Sequence, residues 1–257
     1  MPKILVADDN PVSLRFFADA LAQLDCKAEC ASDGLGAVAA AQRGRFDLLL
    51  FDVNMPGLDG IGALRRVREQ AGPSRDAVAC ATTAAGGDAS RDTLIAAGFA
   101  DVIAKPVSVI ALRELLHRHL RITATSGHDG ARVAPSRDDA GDDAGLDDDA
   151  ALAATGGDTR ILAALRGLLL AELDALPAEL EGMAARGDFA ALRDRLHRLD
   201  ASAGFCGAPA LGTASARLRS ALGNETSWPA SAIDAFAAAC AGVRAALAAA
   251  AARQGDP

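Results

Sequence analysis

Five polar side chains stand at the predicted ends of strands in the first half of the chain, and their types suit phosphate chemistry. They are Asp8, Asp9, Asp52, Thr83 and Lys105. Carboxylates that converge on one crevice repel one another, so they indicate a bound divalent cation, and oxygen ligands favour Mg²⁺. The lysine adds a positive charge, and the threonine adds a hydroxyl donor, for an anion beside the metal. The set suits phosphoryl transfer to a carboxylate, with Asp52 as nucleophile.

Alternating apolar and amphipathic segments predict the elements that position these side chains. From residue 3 to about 120 the pattern is that of βα units around a parallel sheet. The predicted strands cover residues 4–7, 27–31, 47–51, 78–82 and 101–104, and the predicted helices cover 11–24, 35–43, 61–70, 89–97 and 107–120. The third strand has no polar face, so we place it in the centre of the sheet. In a doubly wound sheet, functional groups collect beyond the carboxyl ends of the strands.

The segments ILVADDNPVSL, DLLLFDVNMPGLDG and AAGFADVIAKP, with Thr83 before the last, resemble a response-regulator receiver domain over residues 1–121. The resemblance implies an α/β flavodoxin-like fold, a doubly wound five-stranded parallel sheet. It implies that Asp9, Asp52 and the backbone carbonyl of Asn54 ligate Mg²⁺ directly, while Asp8 assists through water. By the same resemblance, Lys105 pairs with the phosphoryl group and Thr83 switches towards it.

Two points about this resemblance stay open. Thr82 is adjacent to Thr83 and is the alternative hydroxyl. Many receivers carry an aromatic residue on the fifth strand where this chain has Val102, so we expect phosphorylation to survive and the partner face to rearrange less. The competing interpretation is a flavodoxin-like domain whose acidic rim is incidental.

Residues 122–145 lose all periodicity and turn to Gly, Ser, Pro and Asp, which predicts a flexible acidic linker. Residues 146–257 are rich in Ala and Leu at helical spacing. The predicted helices cover residues 147–154, 159–185, 189–205, 208–222 and 229–253. The four longer helices predict an all-α four-helix bundle.

His197 is the one histidine with a setting that suggests chemistry. It lies at the edge of the apolar stripe formed by Leu192, Leu196, Leu199 and Ala203, and we expect it to face mainly water. Small residues beside it, Ala201 and Gly204, leave room for another protein to approach. A neutral imidazole accepts a phosphoryl group near neutral pH.

The segment around His197 resembles a histidine-containing phosphotransfer (HPt) domain, whose active helix carries His-x-Leu-Lys-Gly-Ser. Here Leu199 and Ser202 match, whereas the lysine is Asp200 and the glycine is Ala201. A carboxylate near the phosphorylated nitrogen repels phosphate. We expect Arg193 or Arg198 to compensate.

These observations predict a two-component phosphorelay intermediate that accepts a phosphoryl group on Asp52 and carries or passes one through His197. A linker of about 24 residues has an r.m.s. span of roughly 27 Å, which permits the two sites to meet. The expected partners are a sensor histidine kinase or phosphohistidine donor and another receiver. The alternative is a phosphorylation-controlled binding module whose bundle docks a kinase or regulator without accepting phosphate. A phosphate sink is compatible with both.

Composition and sequence pattern also limit the partners, the location and the enzymatic activity that we expect. A net charge of -8 and a pI near 5.0 argue against nucleic acid as a partner. The first residues lack a signal-peptide pattern, and charges interrupt the alanine-rich segment 230–251, so we expect a cytoplasmic protein without a membrane partner. No ATP-binding kinase domain is recognisable. We expect the receiver to catalyse only Mg²⁺-dependent aspartyl phosphoryl transfer and slow dephosphorylation.

Overall fold

The computed structural model describes residues 1–84, 90–120, 145–222 and 229–254. The predicted linker lies outside these residues, apart from Gly145. The described chain forms an α/β domain followed by a helical bundle.

The first domain is built on a five-stranded, wholly parallel sheet in the order β2-β1-β3-β4-β5. Its strands are β1 (Lys3–Ala7), β2 (Lys27–Ala31), β3 (Leu48–Asp52), β4 (Val78–Ala84) and β5 (Asp101–Lys105). Every residue of the central strand β3 is buried, because its side chains alternate between the cores on the two faces of the sheet. This is the doubly wound sheet that the sequence predicts.

Five helices cover the sheet: α1 (Pro11–Gln23), α2 (Gly34–Arg43), α3 (Gly60–Glu69), α4 (Arg91–Ala96) and α5 (Val109–Leu120). Polar side chains cap the N-termini of several of these helices. Asn10 accepts from the Val12 and Ser13 amides at the start of α1, and Asp59 accepts from the Gly62 amide at the start of α3. These caps end the loops that follow β1 and β3, where the candidate site residues lie.

The bundle comprises α6 (Asp148–Ala154), α7 (Thr159–Arg186), α8 (Phe189–Cys206), α9 (Pro209–Leu222) and α10 (Ala230–Gln254). Gly187 and Gly207 end α7 and α8 in the left-handed conformation. A side chain at Gly207 would also strike the Asp147 carbonyl oxygen, since a Cβ there would lie 2.2 Å from it. Both the left-handed backbone and the close approach of Asp147 therefore favour glycine at position 207.

The last helix, α10, is long and apolar enough in its segment Ala230–Arg253 to cross a membrane by length and composition alone. In the structure Phe236, Cys240, Val243 and Leu247 are buried in the bundle core. The helix thus has a packed side within the bundle.

The two parts of the chain share one hydrophobic core. The apolar cluster on the α1–α5 face of the sheet continues without interruption into α7 and α8. At its centre Phe16 of α1 stacks on Phe205 of α8, with ring centroids 4.6 Å apart, and Phe17 meets Phe205 edge-on at 6.5 Å. The bundle therefore packs against the α1 side of the α/β domain, a point on which the sequence is silent.

Candidate functional site

The carboxyl ends of three strands bring the predicted carboxylates together. Asp8 and Asp9 follow β1 directly, Asp52 is the last residue of β3, and one oxygen from each of the three lies within 4.8 Å of the others. Asp8 and Asp52 are fully buried and Asp9 is nearly so. The sheet thus forms an acidic pocket from residues 44 positions apart in the chain.

Lys105 completes this pocket from the end of β5. Its Nζ lies 2.6 Å from Asp52 Oδ2 and 2.8 Å from Asp8 Oδ2, with the side chain 3 % exposed. Burial alone would lower the pKa of Lys105, but Asp8 and Asp52 together raise the pKa above its usual value. Lys105 is therefore a fixed cation in the pocket.

Burial acts in the opposite sense on the carboxylates. It raises the pKa of Asp52 to about 7, because Asp8 adds to the burial effect and Lys105 only partly opposes it. Burial and Asp8 also raise the pKa of Asp9, while Arg198 pulls it down. The pocket holds more negative charge than Lys105 alone can neutralise.

A hard divalent cation fits this donor set. The ligand atoms are carboxylate oxygens, and Asp9 Oδ1 is buried without a hydrogen-bond partner among the described residues. The Asn54 amide donates to Asp52 Oδ1 at 3.3 Å, which draws the turn after β3 towards the pocket. The position of the Asn54 carbonyl relative to a metal stays a prediction.

The two candidate threonines lie in neighbouring positions of β4, which extends to Ala84 rather than ending at residue 82. Thr82 is the register partner of Asp52 and is buried, whereas Thr83 is half-buried. The more open position of Thr83 agrees with its predicted role, but the choice between the two hydroxyls remains a prediction.

His197 lies against the α/β domain, where the sequence indicated a water-facing side chain. It lines a cleft of about 310 Å³ between the two domains together with Lys105, Pro106, Asp200 and Gly204. Its Nε2 is buried and has no hydrogen-bond partner within the described part of the chain. Burial lowers the pKa of His197, and the positive charges of Lys105 and Arg219 lower it further, so the imidazole is neutral at pH 7.

Asn10 joins the acidic loop to the helix that carries His197. Its Nδ2 donates to the Arg198 carbonyl at 2.6 Å and to Ser202 Oγ at 2.9 Å, while its amide N–H donates to Asp8 Oδ1 at 3.0 Å. Ser202 in turn donates to Glu172 of α7 at 2.9 Å. The Arg198 guanidinium also lies 3.3 Å from Asp9 Oδ2.

A scan of the chain against protein families finds both domains. Residues 4–117 match the response regulator receiver domain, and residues 164–253 match the Hpt domain. The chain is a receiver domain followed by an Hpt domain. Together the two domains support a role in a two-component phosphorelay, the function that the sequence predicts.

Curated relatives match most of this chain with one part of a longer protein. The chain is 29 % identical to the sensor histidine kinase GacS of Pseudomonas protegens over 91 % of its own length and 26 % of that protein. It is 30 % identical to the signal transduction histidine-protein kinase BarA of Shigella flexneri over 80 % of its own length and 22 % of that protein. The chain thus spans about a quarter of the length of these relatives.

Solved structures resemble the receiver half. The receiver domain of a sensor histidine kinase from Pseudomonas aeruginosa PAO1, which holds a magnesium ion in its active-site cleft, is 33 % identical. The match covers 47 % of this chain and 98 % of that one, with a TM-score of 0.43.

The small residues beside His197 in the Hpt domain make room for the receiver of the same chain. A Cβ placed on Gly204 would lie 3.0 Å from Pro106 Cβ, so a larger residue would require α8 or the loop at Pro106 to shift. The sequence predicted space for a partner here. It did not predict that the partner surface is the loop directly after Lys105.

The partner of Asp200 is also different from the expected ones. Arg219 of α9 binds Asp200, with Nη2 and Oδ2 2.9 Å apart. Arg193 donates instead to the Leu222 carbonyl, and Arg198 reaches across to Asp9. The sequence missed Arg219 because it lies 19 residues away on another helix. Likewise, nothing in the sequence distinguished Asn10 as an interdomain contact.

Proposed function

We propose that this chain is a phosphorelay intermediate in which Asp52 of the receiver accepts a phosphoryl group and exchanges it with His197 of the Hpt domain in the same chain. The observation that carries the proposal is the cleft lined by both Lys105 and His197. Lys105 Nζ contacts Asp52, and α8 is hydrogen-bonded to the loop that holds Asp8, Asp9 and Asn10. Lys105 thus connects the donor carboxylate to the cleft that the acceptor imidazole lines.

The residues suit each step of the exchange. An Asp52 carboxylate oxygen attacks phosphorus, and the phosphodonor leaves with the electron pair of its bond to phosphorus. His197 Nε2 then attacks the same phosphorus, while the bond to Asp52 breaks and returns its electron pair to the carboxylate. For this attack Nε2 must carry no proton, and burial and the nearby cations favour the neutral imidazole. Lys105 contributes a cation for the phosphoryl oxygens, and transfer in the reverse direction uses the same contacts.

We assign the metal to Asp9 and Asp52, with the Asn54 carbonyl as a third direct ligand and Asp8 acting through water. Mg²⁺ bound there would neutralise negative charge on the transferring group. The support is the cluster of three carboxylates and the Asp9 oxygen, which has no hydrogen-bond partner within the described ranges. Thr83 is the proposed hydroxyl donor to the phosphoryl group at Asp52.

Transfer within the full-length chain tests this proposal. The chain is incubated with acetyl phosphate and Mg²⁺, and base-stable phosphohistidine is separated from base-labile acyl phosphate. We expect Asp52→Asn to lose both kinds of label and His197→Gln to lose only phosphohistidine. If the wild-type chain carries acyl phosphate but never phosphohistidine, even with other phosphorylated receivers as donors, the relay through His197 is wrong.

Concentration separates transfer within one chain from transfer between chains. In the docked arrangement the rate of phosphohistidine formation should not depend on chain concentration, because donor and acceptor belong to one molecule. A mixture of Asp52→Asn and His197→Gln chains should form phosphohistidine much more slowly. A rate proportional to concentration would assign the transfer to pairs of molecules.

The binding-module alternative gives a different result in the same experiment. The docked bundle would then control the receiver without carrying phosphate, so His197→Gln would leave partner binding and output unchanged. The acidic Asp200 beside His197 is the observation that favours it. Retained output in His197→Gln would select this alternative.

We propose a sensor histidine kinase or another phosphohistidine protein as donor, a separate receiver as acceptor, and the cytoplasm as location. Neither nucleic acid nor a membrane is a proposed partner, and the net charge of -8 supports the first exclusion. We propose domain limits of 1–121 and 146–257, joined by a linker of residues 122–145. The family matches fall inside these limits.

A further inference from the structure

The Hpt domain carries a carboxylate, Asp200, close to the histidine that would hold the phosphoryl group. Asp200 follows His197 by three positions in α8, so the two side chains are neighbours on the helix surface. Both line the interdomain cleft. A phosphoryl group on His197 would bring up to two negative charges next to the Asp200 carboxylate, and the like charges would repel.

Helix α9 supplies a cation that pairs with the Asp200 carboxylate. Arg219 Nη2 lies 2.9 Å from Asp200 Oδ2, and both side chains are about one-third exposed. Asp200 also rests directly on α9, since a Cβ added to Gly212 would lie 3.4 Å from Asp200 Oδ1. Gly212 and Arg219 are seven positions apart and so lie on the same face of α9. Asp200 thus lies within van der Waals distance of the face of α9 that carries Arg219.

We propose that Arg219 is a positioning residue for phosphoryl transfer at His197, which neutralises Asp200 and places a guanidinium beside the histidine that receives the group. The inference rests on the proposed relay. A guanidinium has five N–H donors in a planar fork, so the bond to Asp200 occupies only part of its capacity. Together Arg219 and Lys105 would set a cation from each domain around the transferring phosphoryl group.

The electrostatics of the unphosphorylated protein agree with this arrangement. After burial, Lys105 and Arg219 are the main causes that lower the pKa of His197, whereas Asp200 and Asp8 oppose them. Arg219 therefore acts on the imidazole itself and not only on Asp200. The pair is partly exposed, so salt should weaken its effect.

The experiment compares Arg219→Gln, Asp200→Asn and the double variant in the full chain, with Arg217→Gln as the matched control. Arg217 is on the same helix and is exposed. The first measurement is the pKa of His197 by NMR, which needs no phosphate. We expect the pKa to rise in Arg219→Gln, to fall in Asp200→Asn and to stay unchanged in Arg217→Gln.

The second measurement is the rate of phosphohistidine formation. Arg219→Gln should slow it about tenfold, because Asp200 is then unopposed, a change of about 1.4 kcal/mol in the barrier. Asp200→Asn should be as fast as the wild type or faster, and adding it to Arg219→Gln should recover part of the loss. A purely structural ion pair would instead slow both single variants equally.

The outcomes separate this inference from the proposed relay. Equal losses in the two single variants, or a His197 pKa and transfer rate untouched by Arg219→Gln, overturn the role of Arg219 while the relay stands. A wild-type chain that never carries phosphate on His197 overturns the relay, and with it the role of Arg219 in transfer.

Discussion

At the scale of single residues, the interdomain contact depends on a short run of buried hydrogen bonds. Asn10 uses its side chain twice: Oδ1 caps α1, and Nδ2 binds the backbone of Arg198 and the hydroxyl of Ser202. The Ser202 hydroxyl donates a hydrogen bond to Glu172, which also binds the buried Arg195. Buried polar groups of this kind stabilise a structure mainly because leaving any one of them unpaired is costly.

The two buried serines of the bundle offer a matched test of that run. Ser202→Ala should lower the free energy of unfolding by about 1–3 kcal/mol, since Asn10 and Glu172 each lose a partner. Ser215 is equally buried, but its hydroxyl has no hydrogen-bond partner among the described residues. Ser215→Ala should therefore cost less than about 1 kcal/mol. Urea denaturation of the full chain measures both, and equal losses would contradict this assignment.

The lowered pKa of His197 predicts a dependence of stability on pH. The folded chain disfavours the charged imidazole, so stability is intact above the unfolded pKa of about 6.5 and falls as the pH drops through that value towards the lower folded pKa. Lys105 and Arg219 increase this penalty, and Asp200 and Asp8 reduce it.

The difference in urea midpoint between the wild type and His197→Gln isolates this histidine, because the other groups titrate in both chains. Relative to the variant, the wild type should lose stability between pH 7.5 and pH 5.5. A difference that does not change with pH would show that His197 keeps its ordinary pKa in the folded chain.

At the scale of elements, the sequence predicted every strand and helix of the described chain. Local patterns suffice for this, because each element alternates or repeats its apolar residues at its own period. The ends shifted by one or two residues where a local contact decides them. Helix α4, for example, begins at Arg91 rather than residue 89 because Ser90 caps it by accepting from the Thr93 amide.

Contacts between distant elements were beyond sequence patterns. Asn10 and Ser202 are 192 positions apart, and neither carries a local signal that names the other. The acidic pocket was predictable because parallel strands end at one edge of the sheet, so position along each strand determined proximity. No equivalent rule relates α8 to α1, so the burial of His197 was not predictable.

The contact of α8 with the loop after β5 can be tested with two glycines in helices. Gly204→Val should force α8 and Pro106 apart and slow phosphohistidine formation about tenfold, because group transfer is sensitive to small misplacements of the reacting groups. Gly167→Val in α7 is the control, since a Cβ there meets nothing within 4 Å. Both variants add the same β-branched side chain to a helix. Equal rates in the two would show that α8 does not depend on this close approach.

At the scale of the whole molecule, the docked bundle lies against the loops after β1 and β5, which border the acidic pocket. We expect it to hinder a protein donor that approaches Asp52. The interface combines the Phe16–Phe205 stack, the Asn10 hydrogen bonds and the Arg198–Asp9 ion pair. Asp52 is 1 % exposed in this arrangement. The chain should therefore alternate between a closed form that exchanges phosphate internally and an open form that meets an outside protein.

Reversal of one interface charge should shift this balance towards the open form. Arg198→Glu would place a carboxylate against Asp9, at a site where the arginine side chain is 29 % exposed. At saturating Mg²⁺, we expect slower internal transfer to His197 and several-fold faster phosphorylation of Asp52 by a phosphorylated histidine protein. Acetyl phosphate needs no docking surface on the receiver, so we expect its rate to change less than that of the protein donor. Arg217→Glu is the control, because this exposed arginine lies on α9. If Arg198→Glu slows the protein donor as well, the bundle is a guide for that donor rather than a barrier to it.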